Sequence, residues 1–284
     1  MDANDKTDYF DAHYYAHGCG EPYGRSDAWL ALFNAIAGRI VQDIEPASVM
    51  DAGCAMGLLV EALRQRGVEA YGKDISAYSI GRVHPDVKPY CQVGSITEPF
   101  DRDYDLIVSI EVLEHMAAVD SEKAVENFCQ HTDDVLFSST PFDYKEATHF
   151  NVQPPEYWAE LFARYGFYRD VDFDASFIAP WAVRFRRRSE PVHRLIRDYE
   201  RKFWQLWKEN TDLRSLILEM RTDLSSARDR IEQLETAAQP ELLEKERQMQ
   251  ELRATLDRMQ NSRSWRALES IRRLLGRTPP QDAA

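Results

Sequence analysis

The sequence predicts an α/β domain built on a parallel sheet, followed by a C-terminal α-helical coiled coil. Three observations predict it. Residues 49–66 read as the end of an apolar strand, a turn bearing Asp51, Gly53 and Gly57, and a helix with its apolar side chains on one face. Residues 105–110 and 135–140 are short apolar runs bounded by charge or proline, as strands buried on both faces require. From Leu206 to Leu234, seam residues recur in alternating steps of four and three, the spacing of a coiled coil.

Composition narrows the class. Hydrophobic residues make up 44% of the 284, enough for a real core, and charged residues 29%. No apolar run approaches the length of a membrane-spanning helix, and the polar, acidic first residues do not resemble a secretory signal. The four cysteines are scattered without a C-x-x-C pair, which predicts reduced thiols, a cytoplasmic setting and no metal site. Charge is uneven: residues 190–284 carry 18 basic and 17 acidic residues, the remainder 17 and 31. So acidic a domain lacks the basic surface that nucleic acid requires, which argues against DNA or RNA as partner.

Residues 9–25 hold Tyr9, Tyr14, Tyr15 and Tyr23 with His13 and His17. They read either as an aromatic segment packed on the domain or as a lid. Residues 27–44 carry a helix-period apolar stripe, with Asp27 as its N-cap and Pro46 as its stop. At the following turn, free N–H groups and a helix N-terminus meet, and glycines let a ligand approach the main chain. The spacing Gly53-x-x-x-Gly57 departs from the dinucleotide fingerprint G-x-G-x-x-G. A second strand, 68–74, ends in Asp74, 23 residues after Asp51. An acid there is placed to grip a ribose diol. Two carboxylates without an arginine clamp suit a cofactor with a ribose and an ammonium group, as in S-adenosylmethionine, and not a diphosphate.

Further along, residues 90–93 read as a third strand and 105–110 as a fourth, which ends in Glu111-Val-Leu-Glu114-His115. A fifth strand breaks at Pro141. Residues 142–155 form a loop holding His149, Asn151 and Gln153, a helix spans 156–165, and 167–174 and 177–186 read as the last two strands. Arg184 and Arg186 to Arg188 form a basic patch, either a solvated strand end or a handhold for an anion.

Asp51-x-Gly53-x-x-x-Gly57, the acid Asp74 and the run Tyr104 to His115 together resemble class I S-adenosylmethionine-dependent methyltransferases over roughly residues 9–188. The resemblance implies a Rossmann-like sheet closed by an antiparallel hairpin. It implies cofactor contacts from Asp51, Gly53, Cys54, Ala55, Gly57, Asp74, Ile75 and Glu111. In such enzymes the segment before the first helix covers the cofactor, which assigns Tyr15 to that cover and Arg25 to the methionine carboxylate. The loop after the third strand approaches adenine; here it is Gly94-Ser95-Ile96 where many members have an acid, so Ser95 and Ile96 stand for that contact.

For the reaction, Glu111 sits at the rim where the methyl group should lie, and it enters the catalytic set. His149 is the candidate base for a hydroxyl acceptor. Equally, His149 and Asn151 could only tie the loop to the sheet, and an anionic acceptor would need orientation but no base.

The domain boundaries expected are 1–189, a coiled coil over 190–261 with a break near Pro240, and a basic amphipathic helix and disordered tail over 262–284. Asn210 at one a position favours parallel strands in register; a dimer and a trimer both remain open. The tail helix, with Trp265, Leu268 and Ile271 on one side, either lies on an anionic membrane surface or caps the coil. The layout also resembles the methylating half of enzymes that cap O-antigen chains and hold a polymerase by a coiled coil; no kinase-like segment is present. The resemblance implies a sugar or sugar-phosphate acceptor, a homo-oligomer, a polysaccharide-assembly partner and a place at the inner face of the cytoplasmic membrane. Two alternatives stay open: a methyltransferase for a quinone or lipid precursor, and a non-enzymatic scaffold.

Overall fold

The computed structural model describes residues 9–19 and 21–274. They fall into two compact units that divide between Phe203 and Trp204. The first unit holds a seven-stranded sheet of order β3-β2-β1-β4-β5-β7-β6. Its strands are β1 (Ser48–Ala52), β2 (Glu69–Asp74), β3 (Cys91–Val93), β4 (Leu106–Ile110), β5 (Asp134–Ser138), β6 (Phe167–Arg169) and β7 (Val183–Arg187). Strands β1 to β5 are parallel, and β7 runs antiparallel to both β5 and β6. Chain order reverses between β1 and β4, so a crevice opens there at the carboxyl ends of the strands.

Among the described residues seven α-helices belong wholly or in part to this unit: α1 (Ala12–His17), α2 (Asp27–Asp43), α3 (Leu58–Arg64), α4 (Ala77–Gly81), α5 (Ala118–His131), α6 (Pro155–Ala163) and the start of α7 (Val192–Asn261). One core packs Ile36 and Ile40 of α2 and Leu59 and Leu63 of α3 against Val49 and Leu106 of the sheet. The other packs Phe128 of α5 and Phe162 of α6 against Phe137 and Phe185. The sheet is thus covered on both faces, which is why its strands read as unbroken apolar runs.

Several elements differ from expectation. Ser26, not Asp27, caps α2, its hydroxyl accepting from the Trp29 N–H, and Asp27 lies inside the first turn. The closing hairpin is shorter than 167–174 and 177–186. Residues 170–182 form a connection whose Phe173, Phe177 and Ile178 pack on the first core, so their apolar character serves packing and not a strand. The arginine patch is largely spent within the protein. Arg184 forks onto Asp134, Arg187 pairs with Asp133, and Arg188 reaches Glu190 and Asp198 at 3.0 and 3.1 Å. Such pairing leaves little positive field for an anion.

In the second unit α7 runs on through Pro240, which therefore does not interrupt the helix, and α8 (Arg263–Leu274) follows. Leu213, Ile217, Met220, Leu224, Ile231 and Leu234 are 49–62% exposed. The tail beyond Leu274, expected to be disordered, lies outside the described residues. Among the described residues no helix is long and apolar enough to cross a membrane.

Candidate active site

The turn after β1 is built on positive φ angles: 93° at Gly53, 46° at Ala55 and 68° at Gly57, which forms the N-cap of α3. A Cβ on Gly53 would stand 2.4 Å from Cγ2 of Val112, and one on Gly57 would stand 3.0 Å from Sγ of Cys91. The space freed by these glycines is therefore occupied from within the protein. This corrects the expectation that the missing Cβ atoms serve a ligand's approach. Cys54 is likewise turned inward, its Sγ 2.6 Å from where a Cβ on Gly72 would lie, so its side chain is spent on packing. What the turn offers at the crevice is main chain.

Asp51 and Asp74 end β1 and β2 with their side chains almost fully buried. Asp74 is held by donors: the Ala55 N–H at 2.8 Å on one oxygen, and the Ser76 N–H at 2.8 Å and Ser79 hydroxyl at 3.4 Å on the other. Burial still raises its proton affinity, against the pull of those donors. Asp51 is pushed up to about 8, first by burial and then by the charge of Asp74. No cation is among the causes at either aspartate. The pair suits a ligand that brings hydroxyls and a positive charge, and would repel a diphosphate.

An aromatic segment spans this crevice. Asp11 caps α1, accepting from the His13 and Tyr14 N–H groups at 2.8 and 3.0 Å, and the Ser76 hydroxyl ties the segment to the end of β2 by donating to the Phe10 carbonyl at 2.6 Å. Tyr15 is buried and stacks on Tyr78 with ring centroids 5.7 Å apart. Burial and then Asp74 raise the Tyr15 phenol, and burial and then Asp51 raise that of Tyr23, so both rings lie near the two acids. Tyr23 was missed by the sequence reading, since one tyrosine among four carries no sign of which reaches the crevice. Arg25 is committed elsewhere: its guanidinium forks onto Glu61 of α3 at 2.7 and 3.2 Å. Ile75 is half-buried at the end of β2. Ser95 bonds to Thr97 at 2.7 Å, and Ile96 packs in the second core with Phe100 while its carbonyl accepts from Asn127 at 2.9 Å. The Ile96 side chain therefore serves the core.

The other end of the rim is mixed. Glu111 adopts φ 51°, its N–H bonds to the Ser138 carbonyl at 3.0 Å, and its Oε1 accepts from the Trp181 indole at 2.8 Å. Trp181, in the connection before β7, is a partner that no local motif announced. Glu114 is fully buried, one oxygen accepting from the Thr140 N–H at 3.3 Å. Burial and then Glu111 hold its pKa well above the usual carboxylate range. His115 stands between Tyr14 and Thr148, and burial and then His149 push it down to about 4. His149 lies beside it, ring centroids 4.6 Å apart, with Nδ1 2.8 Å from the Asp143 carbonyl and Nε2 3.3 Å from Glu146. Asn151 is a tether: its amide bonds to Ser121 at 3.0 Å and its N–H to the Glu114 carbonyl at 2.9 Å. The fold thus brings Glu111, Glu114, His115 and His149 together at the ends of β4 and β5.

Comparison with known proteins agrees with this architecture. The magnesium protoporphyrin IX methyltransferase (ChlM) of Synechocystis PCC 6803, solved with bound SAH, is 15% identical with a TM-score of 0.52, the match covering 66% of this chain and all of that one. Its SAM-bound structure gives 18% identity and a TM-score of 0.48 over the same shares. The PH0226 protein of Pyrococcus horikoshii OT3 gives 15% and 0.49, covering 63% of this chain and 100% of its own. At 15% identity the first of these likenesses speaks for the fold alone. No curated protein matches the chain. The family model described as a methyltransferase domain matches residues 24–170, more than half of the 284. The chain belongs to the methyltransferase-domain family.

Proposed function

We propose that this chain transfers a methyl group from S-adenosylmethionine to an oxygen of a sugar or sugar phosphate in a bacterial surface polysaccharide. The observation that carries the cofactor assignment is the buried Asp51–Asp74 pair, which has main-chain donors but no cation and lies beneath Tyr15 and Tyr23. Solved relatives of this fold bound to SAM or SAH support the same cofactor. S-adenosylmethionine supplies an electrophilic methyl group whose departure leaves a neutral thioether. Asp74 would hold the ribose hydroxyls, Asp51 would face the ammonium group, and the Gly53–Gly57 turn would present its main chain. Tyr15 and Tyr23 would exclude water.

At the other end of the rim, Glu111, Glu114, His115 and His149 would receive the acceptor. A hydroxyl must lose its proton as its oxygen bonds to the methyl carbon. His149 would take that proton on Nε2, beside Glu146, or orient the acceptor if it is already anionic. Depression of His115 keeps its ring uncharged near neutral pH. The exposed apolar stripe of α7 favours a self-associating coiled coil, since a seam from Leu213 to Leu234 left in water forfeits its hydrophobic stabilisation. In that assembly the exposed Trp265, Leu268 and Ile271 of α8 would offer a contact to a lipid surface or an assembly enzyme.

Labelled methyl transfer onto purified surface glycan from a strain lacking this protein tests the acceptor. Label in the glycan is the expected result. Label confined to small molecules would turn the reading to a metabolite such as a quinone or lipid precursor, which the Glu111 to His115 run favours. Sedimentation of the full chain tests the coil: an oligomer is expected, and Ile217→Lys should dissociate it.

A further inference from the structure

We propose that Glu114, His115 and His149 hold a first-row divalent metal ion at the carboxyl ends of β4 and β5. One ligand atom from each lies within 4.8 Å of the other two. Glu114 and His115 come from the turn after β4 and His149 from the loop after β5, so tertiary structure assembles the set. Cysteine spacing, which predicts no metal, is silent about such a site.

Hydrogen bonding fixes both imidazoles through Nδ1, which leaves Nε2 of each without a hydrogen. The Thr148 hydroxyl donates to Glu146 at 2.6 Å, so its oxygen can only accept from His115 Nδ1 at 2.9 Å. Nδ1 of His115 therefore carries the hydrogen, and the Nε2 lone pair accepts from the Tyr14 hydroxyl at 3.4 Å, a long bond that an ion would displace. Nδ1 of His149 donates to the Asp143 carbonyl at 2.8 Å, which leaves its Nε2 without a hydrogen. That Nε2 then faces Glu146 Oε2 at 3.3 Å, two acceptors with nothing to share between them. Glu114 Oε2 is buried with no hydrogen-bond partner. A proton on His149 answers Glu146 and one held between Glu114 and Glu111 answers Glu114; a single cation among the three residues takes the place of both. Imidazoles oriented through Nδ1–H onto backbone or side-chain oxygens are the usual support of metal-ligating histidines.

The donor set, two imidazoles and a carboxylate, selects zinc, cobalt, iron or manganese over magnesium or calcium. Tetrahedral donors at about 2.1 Å from one ion stand about 3.4 Å apart, so binding would draw the set in by up to about 1.4 Å. In methyl transfer, and here the inference rests on the function proposed above, the ion would bind the acceptor oxygen and lower its proton affinity. His149 would then orient the acceptor through the metal.

Chelator-treated full-length protein, without cofactor or acceptor, is titrated with Co2+ and followed by its visible absorption and by calorimetry. One saturable equivalent per chain is expected, with a spectrum distinct from that of the aqua ion. His149→Ala and His115→Gln should each weaken it at least about tenfold. The pair His13→Ala and His17→Ala, on exposed α1 with rings 4.8 Å apart, controls for a surface histidine pair and should leave it unchanged. No saturable binding, wild-type affinity in both His149→Ala and His115→Gln, or loss in the α1 control would each overturn the proposal. Because neither cofactor nor acceptor is present, failure here leaves methyl transfer standing, and failure of methyl transfer leaves the metal site standing.

Discussion

At the ends of β1 and β2, buried Asp74, beside buried Asp51, is met by main-chain N–H groups and a serine hydroxyl, whereas at the ends of β4 and β5 a buried glutamate is met by imidazoles and a second glutamate. The first end is a rigid acceptor site fixed by the backbone of a tight turn. The second is assembled from side chains of two loops, with titratable groups in contact. A rigid site suits binding that stays the same throughout the reaction, and a titratable one suits protons or charge that change during it. On the function proposed above, the difference would give the cofactor one end of the rim and the acceptor the other.

The comparison breaks most readily at His149. His149→Ala should lower turnover by about 10²–10⁴-fold if it handles a proton, with cofactor affinity unchanged. Undiminished turnover in steady-state kinetics would reduce it to a tether of the 142–153 loop. On the other side, Asp74→Ala strips the acceptor from three donors and should weaken cofactor binding by about 100-fold, while costing about 1–3 kcal/mol of stability for each donor left unmet. Calorimetry and thermal unfolding read the two effects, and an unchanged affinity would remove the ribose assignment.

A subtler test uses Asp51. In the unfolded chain it ionises near 3.8, in the folded one at about 8, so between those values the folded state holds the extra proton. Its contribution to stability is full below 3.8 and is lost as pH rises through 8; Asp51→Asn should flatten stability across that window. Binding a cation beside Asp51 at pH 7 should expel about one proton, measured by calorimetry in buffers of different ionisation enthalpy. Zero release would place the ligand's charge elsewhere. The smallest effect belongs to Arg25: committed to Glu61 with its own side chain 44% exposed, its change to Ala should move cofactor affinity by less than about threefold. A larger loss would mean that Arg25 leaves Glu61 for the ligand's carboxylate.

The sheet was legible because its strands are apolar on both faces and its first turn carries Asp51, Gly53 and Gly57. Asp74 was legible by its distance from that turn. Residues 170–182 were misread because a connection packed on the core carries the same aromatic residues as a strand. Ser26 was passed over for Asp27 because both side chains can cap, and only the backbone angle tells which does. Proline inside a helix loses one hydrogen bond, which a helix as long as α7 absorbs at Pro240. Trp181 and Tyr23 had no local signal at all, since each reaches the rim from a segment distant in the chain.

By itself the sequence determined the α/β class, the acids at the ends of β1 and β2, and the apolar stripe of α7, because each follows from periodicity or spacing along a short stretch. Only the tertiary structure decided that Val112 and Cys91 fill the space left by the glycines, that Arg25 belongs to Glu61, that the arginines near β7 are neutralised, and that His149 meets His115 and Glu114. Those are contacts between residues tens of positions apart. Their partners are set by how the strand ends converge, which no local pattern encodes.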